Sequence, residues 1–166
     1  KRQGLDGLAG ILIVVILGVF TYYFYQFNSP YVVFTVCLMG AILGFLKYNI
    51  YKATIFMGDI GSLVSGFSVA VLAIEFIEMD KVDNAVPIAL AALIIPIADT
   101  LKAFSLRILQ GKSPFAPDKT HIHHRLIALG FPTIVVVLIL AGVNLLFILF
   151  VIYFQSYSIN TLILLI

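Results

Sequence analysis

All three histidines of the 166-residue chain, His121, His123 and His124, sit within four positions of one another, with Lys112, Lys119 and Arg125 on either side. Imidazole and basic side chains gathered in this way suit a phosphate-rich ligand, which they would meet through charge-assisted hydrogen bonds. Two plainer readings compete. The basic residues alone could serve attraction to anionic lipid headgroups, at about 1 kcal/mol each, but that explains no histidine. The histidines alone could hold a transition metal, but the flanking cations would repel it.

Carboxylates complete the inventory. Asp6 lies in Gly4-Leu5-Asp6-Gly7-Leu8-Ala9-Gly10 and Asp59 in Phe56-Met57-Gly58-Asp59-Ile60-Gly61-Ser62, each an acid between glycines at the start of a long apolar run. Glycine lets backbone approach a ligand closely, and the open end of a helix offers N–H groups to an anion. Each acid could also be no more than a helix cap. Asp99, in Pro96-Ile97-Ala98-Asp99-Thr100, lies near the end of another apolar run, where an ionisable group calls for a function or a partner. Lys102, three residues on, supplies a partner on the same helix face, so Asp99 is equally an ion-pair member or a residue acting behind a site. Carboxylates together with substrate phosphates are the usual ligands of Mg²⁺. The whole set therefore points to magnesium-dependent phosphoryl transfer.

These groups are carried by a chain that is 62% apolar and 11% charged, against about one-quarter charged in a soluble domain. A bilayer core of about 30 Å takes roughly 20 helical residues to cross, and runs of that order extend from Leu8 to Phe27, Tyr31 to Leu46, Gly61 to Ile77, Val86 to about Leu101 and Thr133 to Phe154. A sixth begins near Ile159 and is still apolar at Ile166. The expected fold is an all-α polytopic transmembrane bundle of five complete spans plus a truncated sixth, a single membrane-embedded domain over residues 1–166. The absence of an initiator Met and the apolar last residues suggest a fragment lacking an N-terminal half. If the spans alternate, Lys1, Arg2, Lys47, Lys52, Lys102, Arg107, Lys112, Lys119 and Arg125 share one side and Lys81 alone takes the other. Basic residues flanking spans collect in the cytoplasm, which puts all the motifs there. Reporter fusions after Ser29 and Val82 should therefore read as external, and fusions after Tyr48 and Pro117 as cytoplasmic; export of the Pro117 fusion would overturn the site assignment. Cys37 lies within a span and can form no internal disulfide.

In this order, the motifs resemble those of the polyprenyl-phosphate N-acetylhexosamine-1-phosphate transferases. Gly4 to Leu8 is similar to the end of that family's DGxDGL element, Phe56 to Ser62 to its FMGDxGS element, and His121 to Arg125 to its HxHHR loop. Pro96 to Thr100 and Arg107 to Phe115 resemble its PIxDT and RxxxGKSPF stretches. The resemblance implies transfer of a sugar 1-phosphate from a UDP-N-acetylhexosamine to undecaprenyl phosphate, in the bilayer of the inner (cytoplasmic) membrane with the active site facing the cytoplasm. It implies Mg²⁺, with Mn²⁺ as the alternative. It makes Asp6 a metal ligand, Asp59 an organiser of the nucleotide loop, and His121, His123 and His124 contacts of the diphosphate, with Gly58, Lys112 and Arg125 also on the substrate. Asp6, Asp59, His123 and His124 form the expected catalytic set. The HxHH spacing looks like the branch that uses simple N-acetylhexosamines, with UDP-GlcNAc first. Gln3 stands where the family's first acid would fall, and the family's N-terminal half with its adjacent-Asp motif is not in the chain, so a fragment is expected to be inactive alone. No nucleic acid is an expected partner, and a homodimer is an allowed assembly. The rival from another class is a transporter or channel subunit with a cytoplasmic His-rich metal-binding loop. The transferase reading requires Asp6, Asp59 and His123 or His124 to open into one cleft with Lys112 or Arg125, open on one side; unrelated caps and a headgroup loop could point anywhere.

Overall fold

In lipid every backbone polar group must be satisfied within the protein, which leaves a helix as the only way for such apolar segments to cross. The computed structural model describes residues 7–50, 53–113 and 121–165, and helices are the only regular elements among them. They are α1 (Leu8–Gln26), α2 (Tyr31–Asn49), α3 (Gly58–Glu78), α4 (Ala85–Leu109), α5 (Ile122–Ala128), α6 (Thr133–Tyr153) and α7 (Ile159–Leu165). Five of them, α1 to α4 and α6, are long and apolar enough to cross a membrane. The chain is thus a multi-pass, all-α membrane bundle, as expected.

Helix α1 lies at the centre, packed on α2, α3, α4 and α6. Its Phe20, Tyr23 and Phe24 surround Phe76 of α3, with ring centroids 5.5, 5.1 and 6.4 Å away. Aromatic pairs at these separations add to the packing beyond the area they bury. Ala89, Ala91 and Ala92 of α4 are fully buried, and small side chains of this kind let helices approach closely where lipid supplies no hydrophobic driving force. Large apolar side chains such as Leu63, Phe67, Leu138 and Leu146 remain exposed, as faces turned to lipid should.

Three expected boundaries need correction. Helix α3 starts at Gly58 rather than Gly61, so Asp59 lies in its first turn. Helix α4 continues to Leu109 instead of stopping near Leu101; at 1.5 Å per residue its 25 residues span about 37 Å, longer than the apolar core. Lys102 and Arg107 interrupt the hydropathy there without interrupting the helix, because both are good helix formers. Finally, the histidine segment is not a loop: His121 is the N-cap of the short helix α5. Both α4 and α5 end in a left-handed glycine, Gly111 (φ 68) and Gly130 (φ 94). The N–H groups of Lys112 and Phe131 donate back to the carbonyls of Arg107 and Leu126, and those of Gly111 and Gly130 to Ile108 and Ile127. This pattern closes a helix end only around a residue that tolerates positive φ.

One polar contact fixes α4 against α6 inside the bundle. Pro96 lies within α4 and has no N–H to give the carbonyl four residues earlier, that of Ala92. Asn144 of α6, fully buried, donates its Nδ2–H to that carbonyl at 3.1 Å. An unpaired carbonyl at this depth would cost about 1–3 kcal/mol, although measured interhelical bonds in membranes average nearer 0.6 kcal/mol. Asn144→Leu should therefore destabilise the protein by about 1 kcal/mol in reversible unfolding from mixed micelles. In a Pro96→Ala background, where residue 96 regains its N–H, the same change should cost clearly less. Equal costs in the two backgrounds would show that Asn144 does not serve the proline's orphan.

Candidate functional site

At the end of the bundle where α1 and α3 begin and α4 finishes, these helices enclose a cavity of about 720 Å³ together with α5 and α6. Its walls are apolar, from Leu12, Ile13 and Ile16 of α1, Ile95 and Pro96 of α4, and Leu140 of α6. Its polar groups are Ser62, Asp99, Thr100, His121 and His123. A second concavity, of about 800 Å³, is lined by α6 and the turn after it, from Val143 to Phe154; its polar-capable side chain is Tyr153, and no charged group lines it.

The acidic and histidine motifs meet at the first cavity through two polar clamps. Asn49, the last residue of α2 and buried, accepts from the Gly7 N–H at 2.8 Å and donates from Nδ2 to the Ile55 carbonyl, also at 2.8 Å. Gly7, the left-handed N-cap of α1 (φ 85), adjoins Asp6, and Ile55 adjoins the Phe56 to Ser62 motif. One side chain therefore ties both acid-bearing segments together. The second clamp is Asp99. Its Oδ1 accepts the Ile122 N–H at 2.7 Å and its Oδ2 meets His121 Nδ1 at 2.8 Å. The partner of Asp99 is thus His121, 22 positions away, and not Lys102. The sequence pointed to Lys102 because it considered one helix at a time.

Of the other expected site residues, His123 lines this cavity and Gly58, Asp59, Lys112, His124 and Arg125 do not. Leu8 and Ala9, directly after Gly7, line it; Asp6 itself lies outside the described residues. Asp59 is exposed and does not line the cavity, but Ser62, one turn on, does, with its hydroxyl donating to the Asp59 carbonyl at 2.9 Å. Gly58, the first residue of α3, is exposed. His123 shares the cavity with His121, the two rings parallel with centroids 5.6 Å apart. His124 stands beside His123 at 4.2 Å but does not line the cavity. Lys112 is exposed and donates to Gln110 Oε1 at 2.9 Å. Arg125 is exposed on α5. Arg107, near the end of α4, is buried, with its guanidinium 5.9 Å from the Phe104 ring centroid.

His123 is lowered from the usual imidazole value to about 4, chiefly by burial and then by the adjacent His124, with Asp99 acting in the opposite direction and His121 contributing a further lowering. At neutral pH His123 is accordingly uncharged, offering one N–H and one lone pair. It becomes a cation only if an arriving anion compensates its desolvation.

Among the described residues no group of three or more His, Cys, Asp or Glu could hold a metal ion. Both Asp99 oxygens are already engaged, whereas no described residue bonds the Asp59 carboxylate. Mg²⁺ is commonly held by one or two carboxylates with substrate phosphates and water completing the shell. Asp59, whose carboxylate no described residue bonds, has the chemistry to contribute to such a site without a closed protein cage.

Fold and site together define a polytopic membrane protein with an amphipathic cleft, apolar along its walls and set with carboxylate and imidazole groups at one end of the bundle. Residues 2–77 match the family model "Glycosyl transferase family 4". The chain is 38% identical over 129 residues to a probable undecaprenyl-phosphate N-acetylglucosaminyl 1-phosphate transferase of Bacillus subtilis, covering 77% of this chain and 36% of that protein. It is 32% identical over 148 residues to the decaprenyl-phosphate N-acetylglucosaminephosphotransferase of Mycolicibacterium smegmatis, covering 77% and 36%. It is 31% identical over 137 residues to the undecaprenyl-phosphate alpha-N-acetylglucosaminyl 1-phosphate transferase of Escherichia coli K12, covering 78% and 36%. The chain belongs to this family of polyprenyl-phosphate sugar-1-phosphate transferases. It spans about a third of the length of the curated relatives it matches.

Proposed function

We propose that this chain forms part of an enzyme that transfers N-acetylhexosamine 1-phosphate from a UDP-sugar, UDP-GlcNAc first, to undecaprenyl phosphate at the cytoplasmic face of the inner membrane, initiating cell-envelope polysaccharide synthesis. The observation that carries this reading is the two-sided chemistry of the 720 Å³ cavity. Its apolar walls suit a polyprenyl chain arriving from the bilayer, and the Ser62, Asp99, His121 and His123 groups suit phosphate. The names of the relatives support the same acceptor class and the same kind of transferred group.

In the proposed reaction an oxygen of the lipid phosphate attacks the sugar-linked phosphorus. The bond from that phosphorus to the UMP oxygen breaks, giving undecaprenyl-diphosphate sugar and UMP. Such transfers gain most of their acceleration from positioning and from neutralising charge on the transferred group. Asp6 and Asp59 would hold Mg²⁺, which supplies positive charge to the diphosphate. Residues of this chain would do the rest: His121 and His123 meet phosphate oxygens, and Lys112 and Arg125 draw the anionic donor toward the cleft mouth.

The test is transfer of radiolabelled sugar phosphate to undecaprenyl phosphate by the full-length protein, with UDP-GlcNAc, UDP-GalNAc and UDP-glucose compared. Label in the lipid phase with UDP-GlcNAc, released by mild acid as sugar phosphate, is the expected result. Absence of lipid-linked label from every sugar nucleotide would reject the reading.

A further inference from the structure

We infer that Asp99 is a positioning residue that fixes the tautomer of His121 and keeps its Nε2 as the ring nitrogen available to a phosphate group. The kinetic part of this inference rests on the transferase reading; the tautomer part does not. An ionised carboxylate can only accept hydrogen bonds, so with Oδ2 at 2.8 Å the proton belongs on His121 Nδ1. Oδ1 is held separately by the Ile122 N–H at 2.7 Å, which prevents the carboxylate from rotating away. His121 lines the cavity, and with Nδ1 committed, Nε2 remains for a ligand. When a phosphate draws a second proton onto the ring, Nε2–H can donate to it while the carboxylate steadies the imidazolium, as an orienting Asp does for a catalytic histidine. The pair is built across two elements, since Asp99 belongs to α4 and His121 caps α5.

Asp99→Asn tests this sharply. The Ile122 N–H can only donate, so the amide should turn its oxygen there and present its NH₂ to His121. That forces Nδ1 to become an acceptor and moves the proton to Nε2, while volume and backbone contacts are preserved. The ring can then no longer carry both protons without losing its partner.

The experiment uses full-length protein in nanodiscs, labelled with ¹⁵N-histidine, the His121 signals being assigned by their loss in His121→Gln. At a pH where the ring is neutral, wild type should show protonated Nδ1 and bare Nε2, and Asp99→Asn the reverse. In the transfer assay Asp99→Asn should lower kcat/KM by about a hundredfold or more, in the range for a positioned proton-carrying group. The Asp99→Asn/His121→Gln double variant should be no slower than His121→Gln alone. A structural role for Asp99 would leave the tautomer unchanged and make the two losses multiply, and either result overturns the inference. If wild type shows the expected tautomer but transfers no sugar phosphate, the functional proposal fails and the positioning stands. Should Asp99→Asn fail to fold, Asp99→Glu serves instead: its longer arm should retain the Nδ1–H tautomer and recover part of the rate, and a glutamate variant with the Nε2–H tautomer would overturn the inference.

Discussion

Asp6→Asn in the full-length protein should lower turnover by at least about a hundredfold, the order seen when one preorganised electrostatic contact to a reacting group is lost, with little change in unfolding midpoint. The amide keeps the shape of the side chain but removes the negative charge that a hard cation needs from its ligand. Asp6 directly precedes Gly7 in sequence, and the N–H of Gly7 is held by Asn49 beside residues that line the cleft. Asp59→Asn should be less severe, because Asp59 is exposed and outside the cavity lining. Raising Mg²⁺ should recover part of the rate in Asp59→Asn and much less in Asp6→Asn. Turnover by Asp6→Asn within about threefold of wild type, a difference well under 1 kcal/mol, would remove Asp6 from the metal site. The hydrogen bonds that Asp99 accepts from His121 and Ile122 bring Asp99→Asn close to Asp6→Asn in expected severity.

The spans were legible because lipid forces apolar segments into helices, so hydropathy alone located α1, α2, α3, α4 and α6. The end of α4 was misjudged because Lys102 and Arg107 resemble a membrane boundary, and a charge marks the edge of lipid rather than the end of a helix. A better signal was present in Gly111 and Gly130, each the left-handed residue that closes a helix. Helix α5 escaped notice because its seven residues bury no continuous apolar face to give a period. The motif residues themselves could be picked from their types and clustering. Their partners could not. Pro96 with Asn144 and Asp99 with His121 are pairs between different helices, and no spacing along one helix reveals which neighbour will supply a missing donor. Asn144 and Asn49 nevertheless carried a usable sign: each is an amide inside or at the end of an apolar run, where a polar group must find a partner.

Asn49→Leu should have the largest effect on stability and should also reveal how the two acid-bearing segments are held in register. Leucine is close to asparagine in bulk and better suited to lipid, so on hydropathy alone the change looks harmless. It removes an acceptor from the buried Gly7 N–H and a donor from the Ile55 carbonyl. At about 1–3 kcal/mol for each polar group left unpaired, and with the Ile55 end only partly buried, the expected loss is about 2–4 kcal/mol in reversible unfolding from mixed micelles. The functional consequence is separable from the loss of stability. Gly7 leads from Asp6 into the cavity wall, and Ile55 leads into the motif that contains Asp59. Without the bridge, these segments can drift relative to each other, and a displacement of about 1 Å at a phosphoryl-transfer site can cost on the order of a hundredfold. Assayed at a temperature where the variant is still folded, kcat/KM per folded molecule should therefore fall at least tenfold, a loss of about 1.4 kcal/mol in transition-state stabilisation. Wild-type kcat/KM per folded molecule, accompanied by the expected loss of stability, would show that Asn49 only holds the fold and that the two segments keep their register without it.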